Sequence, residues 1–327
     1  MKKPFSWLPA AIGIGLSAMV DPGLAQSWVK AQLPKEFFWT GVALSANGSK
    51  LVATAYGGNI YISRNTGLTW TKTTAPQNYW QAVASSADGT CLMAVAGNPS
   101  LERGIYVSRD SGRTWRQTSA PPLDWCSIAS SANGTIAVAT AYSDNAVFGS
   151  VNSGRSWGQN DLPPSFWRTV AASADGRKLV AAAIAGPIYT STDAGSTWNQ
   201  TSAPDANNWS SIACSADGRK LVAVDASGGG IYTSPDAGTT WRMTSAPSNN
   251  WYAVASSADG RRLVAAAGGW LAAGPIYLSN NSGVTWNKAN VPDAYWYDVA
   301  MSADGFRIMA VDFYNSIWLG WNFGGIQ

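Results

Sequence analysis

Short apolar stretches alternate with polar turns along almost the whole chain, and the alternation repeats. Seven segments share the pattern W-x-x-[VI]-A-x-S-A-[DN]-G, in which a strand-like apolar run ends in a turn of small and polar residues. The segments begin at Trp39, Trp80, Trp125, Trp167, Trp209, Trp251 and Trp296. This pattern predicts seven copies of one structural unit, each opening with a β-strand.

Six copies are followed by a second motif, S-x-[DN]-x-G-x-[TS]-W, whose glycines are Gly67, Gly112, Gly154, Gly195, Gly238 and Gly283. Successive glycines are 45, 42, 41, 43 and 45 residues apart, the period of a four-stranded propeller blade. In the fourth copy, four short apolar runs between Trp167 and Ser202 are separated by turn residues. We therefore predict an all-β, seven-bladed β-propeller of four-stranded antiparallel blades.

The seventh copy of the second motif is divided between the two ends of the chain. Residues 320–325 match its first half, and Ser27 and Trp28 match its last two positions. The residues that follow Trp28, VKAQLP, also resemble the NQTSAP that follows Trp198. We expect residues 27–33 to form the outer strand of the last blade, so that the N-terminal strand closes the ring.

The N-terminal residues have the features of a secretory signal. Lys2 and Lys3 precede an apolar stretch from Leu8 to Val20, and Gly23 and Ala25 are small residues at −3 and −1 of a cleavage site. We predict a signal peptide over 1–25, cleavage after Ala25, a single propeller domain over 26–327, and a secreted or periplasmic location. The alternative is an uncleaved membrane anchor, for which the stretch is short.

Composition narrows the function classes. The net charge is +3 and the charged residues are dispersed, so we expect no nucleic-acid partner. No second hydrophobic segment follows the signal, so we expect no membrane span, and we expect a monomer. The chain contains no histidine, which excludes Ser-His-Asp and Cys-His catalysis and histidine-based zinc sites. Cys91, Cys126 and Cys214 are an odd, dispersed trio that indicates packing residues. We therefore expect no cofactor and no metal.

The second motif resembles the Asp-box, or BNR repeat, of sialidases, some xyloglucanases and photosystem II assembly factors. The resemblance covers residues 27–327 and implies a propeller in which the motif is a structural turn, remote from any catalytic centre. Sialidases of that family bind the substrate carboxylate with an arginine triad. Here nearly all arginines lie in or after the repeated turns, and Phe306-Arg307-Ile308 is followed by Met309 where the sialidase motif has proline. Sialidase activity is therefore not expected.

Turns alternate between the two ends of an up-and-down blade, so the S-A-[DN]-G turns and the second motif share one face, the turn face. The opposite face, the variable face, carries the second-to-third-strand loops and the inter-blade connections. We expect function where the repeat breaks. Asp225 and Asp312 replace an alanine of the second strand, and Asp298 replaces a small or hydroxyl residue near the strand-opening tryptophan. These aspartates are either hydrogen-bonded structural residues or a functional cluster.

Aromatic residues supply a second set of candidates on the variable face. The strand-opening tryptophans are equivalent, so we expect them to pack. Their non-equivalent neighbours are Phe37, Phe38, Tyr79, Phe166, Tyr252, Tyr295 and Tyr297. Trp270 lies in a long loop and is either a platform for a sugar ring or covered by its own loop. Arg103 and Arg168, the clearest arginines of this face, complete the predicted ligand-binding set.

The leading hypothesis is a secreted, non-catalytic propeller that binds a glycan or protein ligand through its variable face. One alternative is a glycoside hydrolase with a carboxylate pair drawn from Asp225, Asp298 and Asp312. The other alternative is a scaffold or assembly factor. The sequence does not identify the ligand.

Overall fold

The computed structural model describes residues 25–33, 38–98, 102–314 and 316–323, and every regular element among them is a β-strand. The strands form five four-stranded antiparallel sheets and one eight-stranded sheet, in which blades 1 and 2 are joined by pairing of Leu51–Gly58 with Asn78–Ser85. The seven predicted four-stranded blades are therefore present. Within the described part of the chain, no helix is long and apolar enough to cross a membrane. Most of the predicted signal peptide, residues 1–24, lies outside the described residues.

The strand bounds repeat closely from blade to blade. Blade 1 contains Trp39–Leu44, Leu51–Gly58, Ile60–Ser63 and Thr71–Lys72. Blade 2 contains Asn78–Ser85, Leu92–Ala96, Gly104–Ser108 and Arg116–Gln117. Blade 3 contains Trp125–Ser130, Ala137–Ala141, Ala146–Ser150 and Gly158–Gln159. Blades 4 and 5 contain Trp167–Ala172, Leu179–Ala183, Ile188–Ser191 and Asn199–Gln200; Trp209–Cys214, Leu221–Asp225, Ile231–Ser234 and Arg242–Met243. Blades 6 and 7 contain Trp251–Ser256, Leu263–Ala267, Ile276–Ser279 and Asn287–Lys288; Trp296–Met301, Arg307–Asp312, Ser316–Phe323 and Ala25–Lys30.

The two ends of the chain meet in blade 7. Ala25–Lys30 is antiparallel to Ser316–Phe323, with Trp28 opposite Gly320. This pairing confirms the predicted closure, although the strand begins at Ala25 and ends at Lys30. It is six residues long where every other outer strand has two, so a longer ladder replaces the missing covalent turn. Gly320 stands where six blades have serine because a Cβ there would lie 2.9 Å from the Trp28 indole.

A closed ring of main-chain hydrogen bonds joins the blades on the turn face. The alanine of each S-A-[DN]-G turn donates its N–H to the carbonyl of the corresponding alanine in the next blade, from Ala46 to Ala87 (2.7 Å) and onward around the ring. The last bond runs from Ala303 back to Ala46 at 2.8 Å. Seven equivalent bonds therefore close the ring on the turn face.

The repeated polar residues form hydrogen bonds within their own turns. In blade 4, the Ser173 hydroxyl donates to Asp175 (2.6 Å) and accepts from the Lys178 N–H (3.0 Å). In the second motif, Asp193 accepts from the Ser191 hydroxyl (2.8 Å) and from the Thr197 N–H (2.8 Å). Hydrogen bonds from Thr197 lower the pKa of Asp193 to about 2. These carboxylates are therefore ionised and fully occupied by the turn.

The strand-opening tryptophans form the structural core of each blade. All seven are at most 1% exposed. Each one meets an aromatic side chain of the third strand edge-on, as Trp80 meets Tyr106 at 5.0 Å and 79°. Six of these partners are tyrosine or phenylalanine, and in blade 7 the partner is Trp318. Edge-to-face contacts between buried rings stabilise packing, so the predicted packing role is confirmed.

Candidate functional site

The axial channel holds two cavities of different character. The lower cavity, of about 260 Å³, is lined by apolar and small residues of the inner strands. The upper cavity, of about 80 Å³, lies toward the variable face and is lined by residues one and two places after the strand-opening tryptophans. We call the upper cavity the channel mouth. Its first ring consists of Thr40, Gln81, Cys126, Arg168, Ser210, Tyr252 and Tyr297. No two adjacent blades except blades 6 and 7 contribute the same residue, so the repeat breaks here.

Arg168 brings a positive charge into this mouth. Its Nη2 donates to the Tyr252 hydroxyl at 3.0 Å, and its guanidinium carbon lies 5.8 Å from the centroid of the Tyr252 ring. Burial raises the pKa of Tyr252, which keeps that hydroxyl neutral. The two residues are 84 positions apart and belong to blades 4 and 6, so the side chains meet across the axis.

Six aromatic side chains form a continuous cluster, which we call the aromatic arc: Phe38, Tyr252, Tyr295, Tyr297, Phe313 and Tyr314. Tyr297 contacts Tyr252 at 4.9 Å and stacks on Phe313 at 5.1 Å, with 23° between the planes. Phe313 contacts Phe38 at 4.7 Å, and Tyr314 contacts Tyr295 at 4.8 Å. The arc therefore runs from the channel mouth across blades 6 and 7 to the connection that precedes blade 1.

Trp270 extends this surface into solvent. The side chains of Trp270 and Leu271 are 54% and 75% exposed. Their loop is held against blade 7, because Gly269 donates to the Trp296 carbonyl at 2.8 Å and the Tyr314 hydroxyl donates to the Trp270 carbonyl at 3.3 Å. Gly269 has φ +86°, and a Cβ there would lie 2.5 Å from the Tyr252 ring. Of the two interpretations of Trp270, the structure has the exposed one.

Three predicted ligand-binding residues lie apart from the arc. Phe166, 52% exposed, contacts Tyr142 at 5.5 Å between blades 3 and 4. Tyr79 contacts Tyr56 at 4.6 Å where blades 1 and 2 join. Arg103 lies in blade 2, and its carbonyl accepts from Gln117 at 3.1 Å. Phe37 lies outside the described residues.

Phe313 and Tyr314 were not predicted. They follow Asp312 directly, and the equivalent loop of blade 5 has Ala226 and Ser227 at these two positions. That departure from the repeat was the available signal. It could not show that the loop folds over the seam onto Phe38.

Asp225 and Asp312 hold loops. The Asp225 carboxylate, 6% exposed, accepts from the N–H groups of Ser227 (2.9 Å) and Asn208 (3.2 Å). Asp312 accepts from the Tyr314 N–H at 3.2 Å and from the Tyr295 N–H, the equivalent positions in blade 7. Burial raises the pKa of Asp312. Both carboxylates fasten the loop after the second strand to the connection before the first.

Asp298 joins blade 7 to blade 1. One carboxylate oxygen accepts from the Val42 N–H at 2.9 Å, and the other accepts from the Val299 N–H at 2.8 Å. Ser127 and Ser211 accept the equivalent N–H of the next blade at 3.3 and 3.2 Å. Burial raises the pKa of Asp298 to about 7 against the opposing effect of its two amide donors. At the seam, a carboxylate therefore performs the task that serine performs elsewhere.

The three aspartates do not converge. Trp296 is paired with Asp312, and Asp298 with Val311, across a bulge. Paired residues share a face, so Asp298 is directed toward blade 1 and Asp312 toward the blade 6 side with Trp296. Asp225 belongs to blade 5, beneath its own glycine-rich loop. Each carboxylate is thus committed to main-chain donors in a different place.

No group of three or more His, Cys, Asp or Glu side chains that could hold a metal occurs among the described residues. Cys126 lines the channel mouth, where its sulfur lies 3.2 Å from the Thr140 hydroxyl. Burial raises the pKa of Cys126, so it remains a thiol.

No protein-family model matches the chain, and no curated protein sequence matches it. Solved structures do match. YCF48 from Cyanidioschyzon merolae has a TM-score of 0.68 and 17% identity over 89% of this chain and 98% of that one. Virginiamycin B lyase from Staphylococcus aureus has a TM-score of 0.71 and 17% identity, covering 91% of this chain and 99% of that one. The GH74 xyloglucanase from Xanthomonas campestris has a TM-score of 0.70 and 17% identity over 91% of this chain, which spans 54% of the xyloglucanase. At these identities the likeness supports the propeller fold alone.

Proposed function

We propose that this protein is a secreted, non-catalytic propeller that binds a glycan or protein ligand through its variable face. The observation that carries the proposal is the aromatic arc, which runs from the channel mouth to Tyr314, whose hydroxyl donates to the main-chain carbonyl of the exposed Trp270. Rigid aromatic side chains supply large contact areas at low entropic cost, and they flank polar groups that fix orientation. On the turn face, by contrast, the repeated polar residues are engaged within their own turns.

Two further observations favour binding over catalysis. The aspartates nearest the arc, Asp298 and Asp312, accept main-chain hydrogen bonds and face opposite sides of their sheet. The chain also lacks histidine, whereas a histidine-to-alanine variant of virginiamycin B lyase is catalytically inactive. A YCF48 structure at 16% identity is bound to D1 peptide, which makes a protein ligand a reasonable first choice.

The proposal is tested by screening the mature protein on a glycan array and a peptide array. Trp270→Ala should abolish binding, while Phe166→Ala, at a similarly exposed aromatic outside the arc, should leave it intact. Equal effects of the two substitutions, or loss with Phe166→Ala only, would overturn the assignment. The unfolding midpoint of each variant serves as the control for folding.

Glycoside hydrolysis is the second candidate because one channel-mouth carboxylate, Asp298, has a pKa of about 7, as a general acid requires. Reducing-sugar release from xyloglucan, lost in Asp298→Asn, would establish it. Secretion is tested separately by N-terminal sequencing of the exported protein, which should begin at Gln26.

A further inference from the structure

Arg168 is a cation without a counter-ion in the described part of the chain. The single ion pair found among the described residues joins Lys288 and Asp293, on the protein surface. The neighbours of Arg168 in the channel mouth are hydroxyl and amide groups: Thr40, Gln81, Ser210, Tyr252 and Tyr297. Asp298 lines the same cavity, but both its oxygens accept main-chain hydrogen bonds. Among the described residues, Arg168 is therefore the one cationic side chain that lines the channel mouth, and it forms no ion pair with Asp298.

Arg168 is partly buried in the channel mouth, and a guanidinium without a counter-ion there is available to an anionic partner. The group has five N–H donors in a planar fork. The Tyr252 hydroxyl accepts from one of them, the Tyr297 hydroxyl also engages the group, and the Tyr252 ring packs beside the cation. This leaves donors for a planar anion, and a carboxylate matches the fork in two parallel hydrogen bonds.

The size of the cavity restricts what carries the carboxylate. A cavity of roughly 150 Å³ holds one benzene molecule, whereas the channel mouth measures about 80 Å³. An acyclic group such as an Asp or Glu side chain, or a chain terminus, fits this space. The adjoining arc offers stacked rings for the apolar residues on either side of such a group.

We propose that Arg168 binds a carboxylate of an acidic peptide in the channel mouth, while the aromatic arc holds the neighbouring residues of that peptide. This inference rests on the proposed function and specifies its ligand. Acidic glycans are the competing source of a carboxylate.

Small probes test this assignment directly. N-acetylglycine carries a free carboxylate, N-acetylglycinamide is its neutral match, and glucuronate represents the acidic sugars. Binding is followed by the chemical shifts of the protein amides on titration. We expect N-acetylglycine to bind, N-acetylglycinamide not to bind, and Arg168→Gln to weaken N-acetylglycine by roughly tenfold or more, as loss of a charged hydrogen bond implies. Arg103→Gln, outside the arc, should bind as the unsubstituted protein does.

Arg168→Lys keeps the charge and removes the fork, so it should fold and still bind more weakly. Equal binding of the neutral probe, or binding unchanged in both Arg168 variants, would overturn the inference. The absence of any N-acetylglycine binding would do the same, and preferential binding of glucuronate would reassign the site to an acidic glycan. Array ligands that depend on Trp270 but not on Arg168 would leave the proposed function intact while the inference fails.

Discussion

The two faces of this ring differ in what their polar residues do. On the turn face, the same serine, alanine and aspartate or asparagine recur in each blade, and their hydrogen bonds close within the turn or with the next blade. On the variable face, the positions that follow the strand-opening tryptophans differ from blade to blade and include an arginine and two tyrosines, and the loop after Leu263–Ala267 adds the exposed Trp270. Repetition marks the residues that build the ring, and departures from it mark the surface available for binding.

Asp298 refines this comparison because it departs from the repeat and still has a structural task. Its carboxylate accepts the Val42 N–H across the seam, as the hydroxyl of Ser127 accepts the Val170 N–H. Asp225 and Asp312 likewise hold loops. A break in a repeat therefore identifies a candidate, and only the hydrogen-bond partners decide its role.

The largest effect should come from removing the seam. Deleting residues 26–33 eliminates most of the strand that pairs with Ser316–Phe323 and exposes the edge of blade 7. We expect the variant either to lose cooperative folding or to aggregate. Circular dichroism measures the first outcome and size-exclusion chromatography the second. A circular permutant that joins residues 25–33 after Phe323 should restore folding. A soluble deletion variant with an unchanged unfolding midpoint would be incompatible with ring closure.

Substitution of two tryptophans compares a repeated core residue with a residue of the variable face. Trp209 is fully buried against Tyr232, whereas Trp270 is 54% exposed. Trp209→Ala should lower the free energy of unfolding by about 3–5 kcal/mol. Trp270→Ala should change it by less than about 0.5 kcal/mol. Urea denaturation measures both, and similar losses in the two variants would mean that the loop of Trp270 is part of the core.

Turn serines should give an intermediate effect. Ser173→Ala leaves the Lys178 N–H without its acceptor inside a buried turn, at a cost of about 1–3 kcal/mol. Ser143 makes an exposed hydrogen bond to Asp124, so Ser143→Ala should cost less than about 0.5 kcal/mol. Should both variants unfold at the same urea concentration as the unsubstituted protein, the turns would not contribute as argued.

The two faces also differ in the sign of their pH dependence. Hydrogen bonds hold the pKa of Asp193 at about 2, so its contribution is present above its ordinary value of 3.8 and is lost as the pH falls toward 2. Burial raises the pKa of Asp298 from 3.8 to about 7, so the folded state retains a proton that the unfolded chain releases. That contribution is complete below pH 3.8 and is lost as the pH rises through about 7.

Substituting each aspartate separates its contribution to the pH dependence of stability: Asp193 acts at acid pH and Asp298 toward neutral pH. Asp298→Asn should flatten the decline in stability between about pH 4 and 7, and Asp193→Asn should flatten only the acid limb. Urea midpoints across the pH range provide the measurement. A neutral limb that persists in Asp298→Asn would assign it to another group.

The ring was predictable because its information is local and repeated. Each strand-opening tryptophan and each turn glycine occurs often enough to define blade count and register, and Ser27-Trp28 complete the motif that Gly320 begins. Only the bounds of the closing strand were inexact.

The site was predictable in part, because its contacts join distant blades. Comparison of the repeats identified Arg168, Tyr252 and Tyr297 as residues that differ from those of the other blades. It could not show that their side chains contact one another across the axis. Phe313 meets Phe38 only after the ring has closed. Phe166 and Tyr79 satisfy the same sequence criterion and yet pack against local partners instead.

The most direct test of the difference between the faces is a footprint of bound ligand by hydrogen–deuterium exchange, using whichever ligand the arrays identify. We predict protection of the segments that contain Tyr252, Trp270, Tyr297 and Phe313, with no change in the seven S-A-[DN]-G turns. Protection confined to the turn face, with the aromatic arc unchanged, would contradict the account.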